Sequence, residues 1–167
     1  FAKAAVHSLE APRAVITSLA PDANSTLTVH FGLPMDSQPV TATDYIFLDL
    51  IYFSNIQFPK SLTGGYTGTP VYSIQNNRLS ITGISLNPGK TLSIRDISLK
   101  NPPDIGGFDI YIRISSNAEG TLIRNQVYIQ ATTTDAGIIM RAEVPANIGQ
   151  LQISGLAAPN MLITFTE

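Results

Sequence analysis

Two histidines, His7 and His30, are the only imidazoles in the chain. General acid–base work, activation of a hydroxyl nucleophile or a nitrogen-ligated metal site would have to be built on one of them. His30 lies in Leu27-Thr28-Val29-His30-Phe31, on the outward side beside Thr28. It has no second His or carboxylate at ligand spacing, so it reads as a surface histidine. Asp104 and Asp109 flank Ile105-Gly106-Gly107-Phe108. The alternating Asp/Asn oxygens of a calcium loop are missing there, and a solvated turn is the reading. Gly-x-Ser-x-Gly does not occur. Glycoside hydrolysis needs two facing carboxylates. Asp36, Asp44, Asp49, Glu119 and Glu143 stand in no revealing context and read as surface carboxylates. Gly64-Gly65-Tyr66-Thr67-Gly68 is followed by the strand-like Thr69-Pro70-Val71-Tyr72. A phosphate loop needs a helix N-terminus at that point, so the segment is expected to be a flexible hairpin loop. There is no cysteine, which removes a thiolate nucleophile, a disulfide framework and any Cys-containing zinc site. The expectation is a non-enzyme with no catalytic residue, no metal and no cofactor.

Three features suggest binding or modification. Asn24-Ser25-Thr26 is the sole Asn-x-Ser/Thr sequon, just before a strand, and makes Asn24 a candidate glycan site in a secreted protein. Thr132-Thr133-Thr134 is either a site for O-linked sugar or, the favoured reading, a polar linker between strands. Tyr45, Phe47, Tyr52 and Phe53 cluster in one strand region whose two faces are both apolar or aromatic. Such a strand is either covered on both sides, or its second face meets a partner or stacks on sugars; burial or assembly is the favoured reading.

The elements that must carry these residues are strands. Phe108, Ile110, Ile112 and Ile114 point one way while Asp109, Tyr111 and Arg113 point the other. Leu27, Val29 and Phe31 form an inward set, as do Ile46, Leu48 and Leu50. Val127 and Ile129 alternate with outward Gln126, Tyr128 and Gln130. Alternation in the strand beginning at Leu92 and Ile94 slips at Asp96 and resumes at Ile97 and Leu99, which predicts a β-bulge. Turn signals fall between the runs: Gly64-Gly65, Asn76-Asn77, Asn87-Pro88-Gly89, Asn101-Pro102-Pro103 and Gly106-Gly107. Strands are expected near 13–19, 26–32, 44–53, 55–58, 70–75, 78–83, 90–99, 107–115, 121–131, 137–144, 149–154 and 160–166. That exceeds the seven to nine of a simple immunoglobulin-like sandwich. Residues 1–11, rich in Ala, Lys, Leu and Glu with Ala2, Val6 and Leu9 at helical spacing, form either a short helix or an extended arm docking into a neighbour.

Apolar residues make up 44% of the chain and charged residues only 13%, against about 25% in a typical soluble domain. Surface polarity therefore falls to Ser, Thr, Asn and Gln, as in secreted sandwiches and fibre subunits. A net charge of -2 argues against a nucleic-acid partner. No apolar run approaches the roughly 20 residues of a membrane span. The opening Phe1 and the lack of a visible signal peptide suggest a processed product or a segment of a longer chain.

Ile16-Thr17-Ser18-Leu19-Ala20 with the later Leu27–Phe31 run is echoed near the end by Ile153-Ser154-Gly155-Leu156-Ala157 with Met161-Leu162-Ile163-Thr164-Phe165. The same strand-turn-strand pattern opens and closes the chain, as though the last strands began a further repeat or swapped into a neighbour. The organisation expected is a 1–12 arm or helix, a 13–132 sandwich core, and 133–167 as terminal strands. Phe1, Val6, Leu9, Val15, Ile153, Leu162, Ile163 and Phe165 are the candidate assembly contacts.

In the middle of the chain, Asp44-Tyr45-Ile46-Phe47-Leu48 leads to Ile56-Gln57-Phe58-Pro59, then Leu79-Ser80-Ile81-Thr82-Gly83. Ile97-Ser98-Leu99-Lys100-Asn101-Pro102-Pro103, Gly107-Phe108-Asp109-Ile110-Tyr111 and Ser115-Ser116-Asn117-Ala118-Glu119-Gly120-Thr121-Leu122-Ile123 follow. This order, over about residues 26–131, resembles the immunoglobulin-like repeats of large extracellular surface proteins of ciliates and other protists. The resemblance implies an extracellular or cell-surface structural role and brings no catalytic residues. Together the readings give an all-β, immunoglobulin-like antiparallel sandwich with extra terminal strands. Its expected function is as a structural subunit of a filament or surface coat, joined to other copies of itself by β-strand addition. The alternative is an adhesive or carbohydrate-binding module whose partners are glycans.

Overall fold

The computed structural model describes residues 6–133, which hold ten β-strands and no helix. They are β1 (His7–Ser8), β2 (Glu10–Ile16), β3 (Asn24–Gly32), β4 (Tyr45–Asp49), β5 (Ser61–Gly64), β6 (Tyr66–Gln75), β7 (Arg78–Leu86), β8 (Thr91–Lys100), β9 (Gly106–Ser115) and β10 (Ile123–Thr133). One sheet has the order β1-β10-β9-β4-β7-β6 and the other β2-β3-β8-β5. The expected strands near 137–144, 149–154 and 160–166 lie outside the described residues.

Alternation decides which side of each strand is buried. Ile46 and Leu48, Leu79 and Ile81, and Ile110, Ile112 and Ile114 leave the first sheet to meet Leu27, Val29, Phe31, Leu92, Ile94, Ile97 and Leu99 from the second. Each such side chain contributes about 1.5–3 kcal/mol on burial. The order β2-β3-β8-β5 against β10-β9-β4 is the ABED/GFC arrangement of a constant-type immunoglobulin sandwich. The strands added to it are the β6–β7 hairpin beside β4 and the short β1.

The segment before β3 ties both sheets together. β1 runs parallel to β10, with His7 opposite Asn125 and Ser8 opposite Gln126. Leu9 then turns into the core, 3% exposed, and β2 crosses to pair with β3. Over residues 7–12 the chain is thus extended and docked on its own sandwich, and the helix option fails there. Pro12 has no N–H for a helical bond, and Ala11 sits at φ 46° beside a register shift between Glu10 and Arg13.

Three local expectations are corrected. β4 ends at Asp49; residues 50–53 form a turn in which Phe53 N–H donates to Leu50 O at 3.0 Å. No strand forms over 55–58, where single bonds such as Gln57 N–H to Ser98 O (2.8 Å) hold irregular chain. Gly64-Gly65 is no hairpin loop but a passage from β5 in one sheet to β6 in the other. The bulge expected at Asp96 is present: Leu27 faces Ile97 and Val29 faces Ile94, with Asp96 at φ 58°.

Candidate functional site

Five strands of the larger sheet set their outward residues in register. One row runs Ser73, Ser80, Phe47, Arg113, Gln126. The next runs Gln75, Arg78, Asp49, Tyr111, Tyr128. The turn Asn76-Asn77, with φ 53° and 60°, is the two-residue connection of the β6–β7 hairpin. Asn77 Nδ2 reaches over to donate to Phe53 O (2.9 Å) and Ile51 O (3.3 Å), which fixes the turn carrying Tyr52 at the end of the row.

Asp49 is the charge at the centre. Arg78 bonds it through Nε at 2.5 Å and Nη2 at 3.2 Å, and Arg113 bonds it through Nη1. The carboxylate is buried while both arginine side chains are partly exposed. Each arginine also covers a ring: Arg78 lies 4.2 Å from the Phe47 centroid, and Arg113 lies 4.3 Å from that of Tyr111. Phe47 is 2% exposed although it points away from the core. The Arg78 guanidinium, the Tyr45 ring at 5.8 Å and the loop at Gly120 close over it. Gly120 sits at φ +73°, and a Cβ there would stand 3.3 Å from Phe47 and 2.8 Å from Arg78 Nη1. Tyr111 stacks on Tyr128 at 5.9 Å, and Tyr52 meets Phe108 at 5.1 Å. Between these groups the sheet forms an open depression of about 1000 Å³.

The sheet edges form a second candidate. β6 carries Pro70 and a register shift between Gly68 and Val71. β2 carries Pro12 and its own register shift, and β5 is four residues long. Proline, irregularity and shortness are the ordinary means by which an edge refuses another strand. β10 differs. Its start is anchored: Arg124 Nη2 bonds Asp44 Oδ2 (2.9 Å) and Pro39 O (3.2 Å), and Asn125 Nδ2 bonds Ser37 Oγ (2.9 Å). Among the described residues only β1 lies beyond β10, and it ends opposite Gln126. From Val127 to Thr133 the strand contains no Pro, no Gly and no charge, and it is paired regularly with β9 as far as Gly106.

The residues singled out from sequence fall as follows. Asp44 and Asp49, read as surface carboxylates, are buried and ion-paired to Arg124 and to Arg78 and Arg113. His30 is half-buried, its Nδ1 2.5 Å from Ser93 Oγ, and its pKa is lowered by burial and then by Arg13 and Arg95. Asn24 is exposed at the start of β3. Val6 and Val15 are exposed, Leu9 is in the core, and Phe1, Ile153, Leu162, Ile163 and Phe165 lie outside the described residues. Of the aromatic cluster, Phe47 and Phe53 are buried, Tyr45 is half-buried and Tyr52 is exposed. Arg78 was missed, because only cross-strand register brings it to Asp49; the outward Tyr111 and Arg113 were legible from alternation. Among the described residues no three His, Cys, Asp or Glu side chains gather as a metal site, and no helix is long and apolar enough to cross a membrane.

No protein-family model matches the chain, and no curated protein does. Among solved structures it is similar to domains D2 and D3 of the major pilin SpaD of Corynebacterium diphtheriae: 12% identity, TM-score 0.41, covering 73% of this chain and 50% of that one. It is also similar to the major pilin SpaA of the same organism: 10% identity, TM-score 0.37, covering 64% of this chain and 31% of that one. The chain thus spans half of the first and under a third of the second. At TM-scores of 0.41 and 0.37 neither likeness carries an argument about what this chain does.

Proposed function

We propose that this chain is a structural module of an extracellular filament or surface coat, joined to other copies of itself by β-strand addition. The observation that supports this is the edge of β10 from Val127 to Thr133, the one long edge among the described residues without proline, bulge or a hydrogen-bonded partner strand beyond it. Seven residues at about 3.3 Å each offer roughly 23 Å of backbone donors and acceptors, enough for a full donor strand. The donor on this reading is the segment 149–167 of a neighbouring copy, with Ile153, Leu162, Ile163 and Phe165 as its apolar residues, Ile163 and Phe165 sharing one face of an extended strand. Residues 7–16 are spent within their own sandwich and are not available to exchange. Low charge content and a surface of Ser, Thr, Asn and Gln fit an extracellular site covered by its neighbours. The resemblance to protist surface repeats belongs to the same reading.

Light scattering of the whole chain across a concentration series tests it. Polymers should form, and a variant with Ile163→Asp and Phe165→Asp should remain folded and monomeric. Lysines at Tyr128 and Gln130 should have the same effect from the acceptor side. A wild-type chain that stays monomeric to its solubility limit would overturn the proposal.

A further inference from the structure

We propose that the depression on the outer face of the six-stranded sheet binds a neutral oligosaccharide, as a site separate from the β10 edge. The ionised groups lining the depression are Arg78, Arg113, Asp49 and Asp109, two of each sign. A phosphorylated or polyanionic ligand would find no net field to draw it in, and a cation would find none either. The remaining polar lining consists of neutral hydroxyls and amides, among them Ser73, Ser80, Thr82, Gln75 and Asn76. These groups both donate and accept, which is what a surface of sugar hydroxyls requires and what an apolar ligand would leave unsatisfied.

The rings supply the apolar half of the recognition. Tyr52, 49% exposed, offers its ring at the end of the depression where residues 51–52 meet β9; the half-buried Tyr111 lines the same end and carries Arg113 over its own ring. The negative face of an aromatic ring attracts positively polarised edges. The axial C–H bonds of a pyranose present such an edge while its hydroxyls point sideways toward the amides. The polar planes are already held in place. Asp49 is gripped by two guanidinium groups, Arg78 is stacked over Phe47 and Arg113 over Tyr111. Little side-chain freedom remains to be lost on binding. The depression crosses several strands and is open rather than closed, so it suits the interior of a sugar chain more than a single terminal residue.

The probes are neutral hexasaccharides: a β-1,4-glucan, a β-1,3-glucan and a mannan. They are added to isotope-labelled full chain while amide shifts are followed. The expected result is that at least one saccharide shifts Tyr52, Arg78, Tyr111 and Arg113, with Tyr52→Ala and Tyr111→Ala each weakening binding by about tenfold. Val15→Ala, on the opposite sheet, should bind as wild type. Shifts mapped on the wild type stand whether or not a variant folds. Three outcomes would overturn the inference: no saccharide shifts these residues, the two tyrosine variants bind unchanged, or the same residues shift with protein concentration alone. The last would mark the face as a contact between copies.

Discussion

The guanidinium of Arg78 lies over the ring of Phe47, Cζ to centroid 4.2 Å, while its Nε and Nη2 hold the carboxylate of Asp49. One side chain thus covers an outward-facing phenylalanine and half-neutralises a buried acid. Arg78→Ala removes both functions. It exposes Phe47 and leaves Asp49 with Arg113 as its remaining charged partner. The expected cost is about 2–3 kcal/mol in urea unfolding. Arg78→Lys should recover part of it, through charge without the planar fork. An alanine variant as stable as wild type would mean that Phe47 is covered by Tyr45 and the Gly120 loop alone.

Asn101 ties the β2–β3 connection to the end of β8. It is 1% exposed; its Nδ2 donates to Ser18 O and Ala20 O, both at 2.8 Å, and its backbone N–H donates to Ala23 O at 2.9 Å. Asn101→Ala leaves two carbonyls without that donor and should cost about 1–3 kcal/mol. Asn101→Asp is expected to be worse at neutral pH, because a carboxylate oxygen would face the same two carbonyl oxygens. If the Asp variant unfolds no earlier than the Ala variant, the amide is not the clamp.

What could be read from the chain, and what could not, divides along the range of the interactions. Ile110, Ile112 and Ile114, or Leu27, Val29 and Phe31, declare an inward face by their own spacing, and all are buried. β1 could not be read, since a two-residue strand of His7 and Ser8 carries no period and exists only because β10 lies beside it. The end of β4 was hidden because Leu50, Ile51, Tyr52 and Phe53 continue the apolar run into a turn held by Asn77, a residue 24 positions from Phe53. The Asp49 cluster was hidden for the same reason. Arg78 and Arg113 reach it from separations of 29 and 64 residues. Alternation said that Tyr111 and Arg113 face outward, but not that two further strands set a buried carboxylate between two arginines.

Asp96 occupies the bulge of β8 in the left-handed region, φ 58°, with its N–H donating to Thr28 Oγ1 at 3.1 Å. The side chain is exposed, so backbone strain is the main term to change. Asp96→Gly should be neutral or stabilising by up to about 1 kcal/mol, relief of strain being partly offset by a freer unfolded chain. Asp96→Val should cost about 1–2 kcal/mol, since a β-branched residue is poorly tolerated there. Thermal unfolding of the two variants should therefore bracket wild type; a valine variant that melts with wild type would mean that the bulge relocates.

His30 links stability to pH. Its imidazole is half-buried beside Ser93, and its pKa is lowered from 6.5 first by burial, then by Arg13, its register partner on β2, and by Arg95. With the folded value below the unfolded one, the unfolded chain binds more protons in the window between them, and stability rises with pH there. The contribution is fully present above about pH 6.5. It is lost as pH falls through the lowered folded value, where protonation places a third cation between two arginines. His30→Gln cannot be charged and should flatten this part of the profile. The measurement is the urea midpoint of both proteins between about pH 7.5 and about pH 5. Wild type should lose stability relative to His30→Gln as the pH drops. Added salt should narrow the gap by screening Arg13 and Arg95. Parallel profiles would show that the imidazole can turn away from both arginines and take up its proton in water.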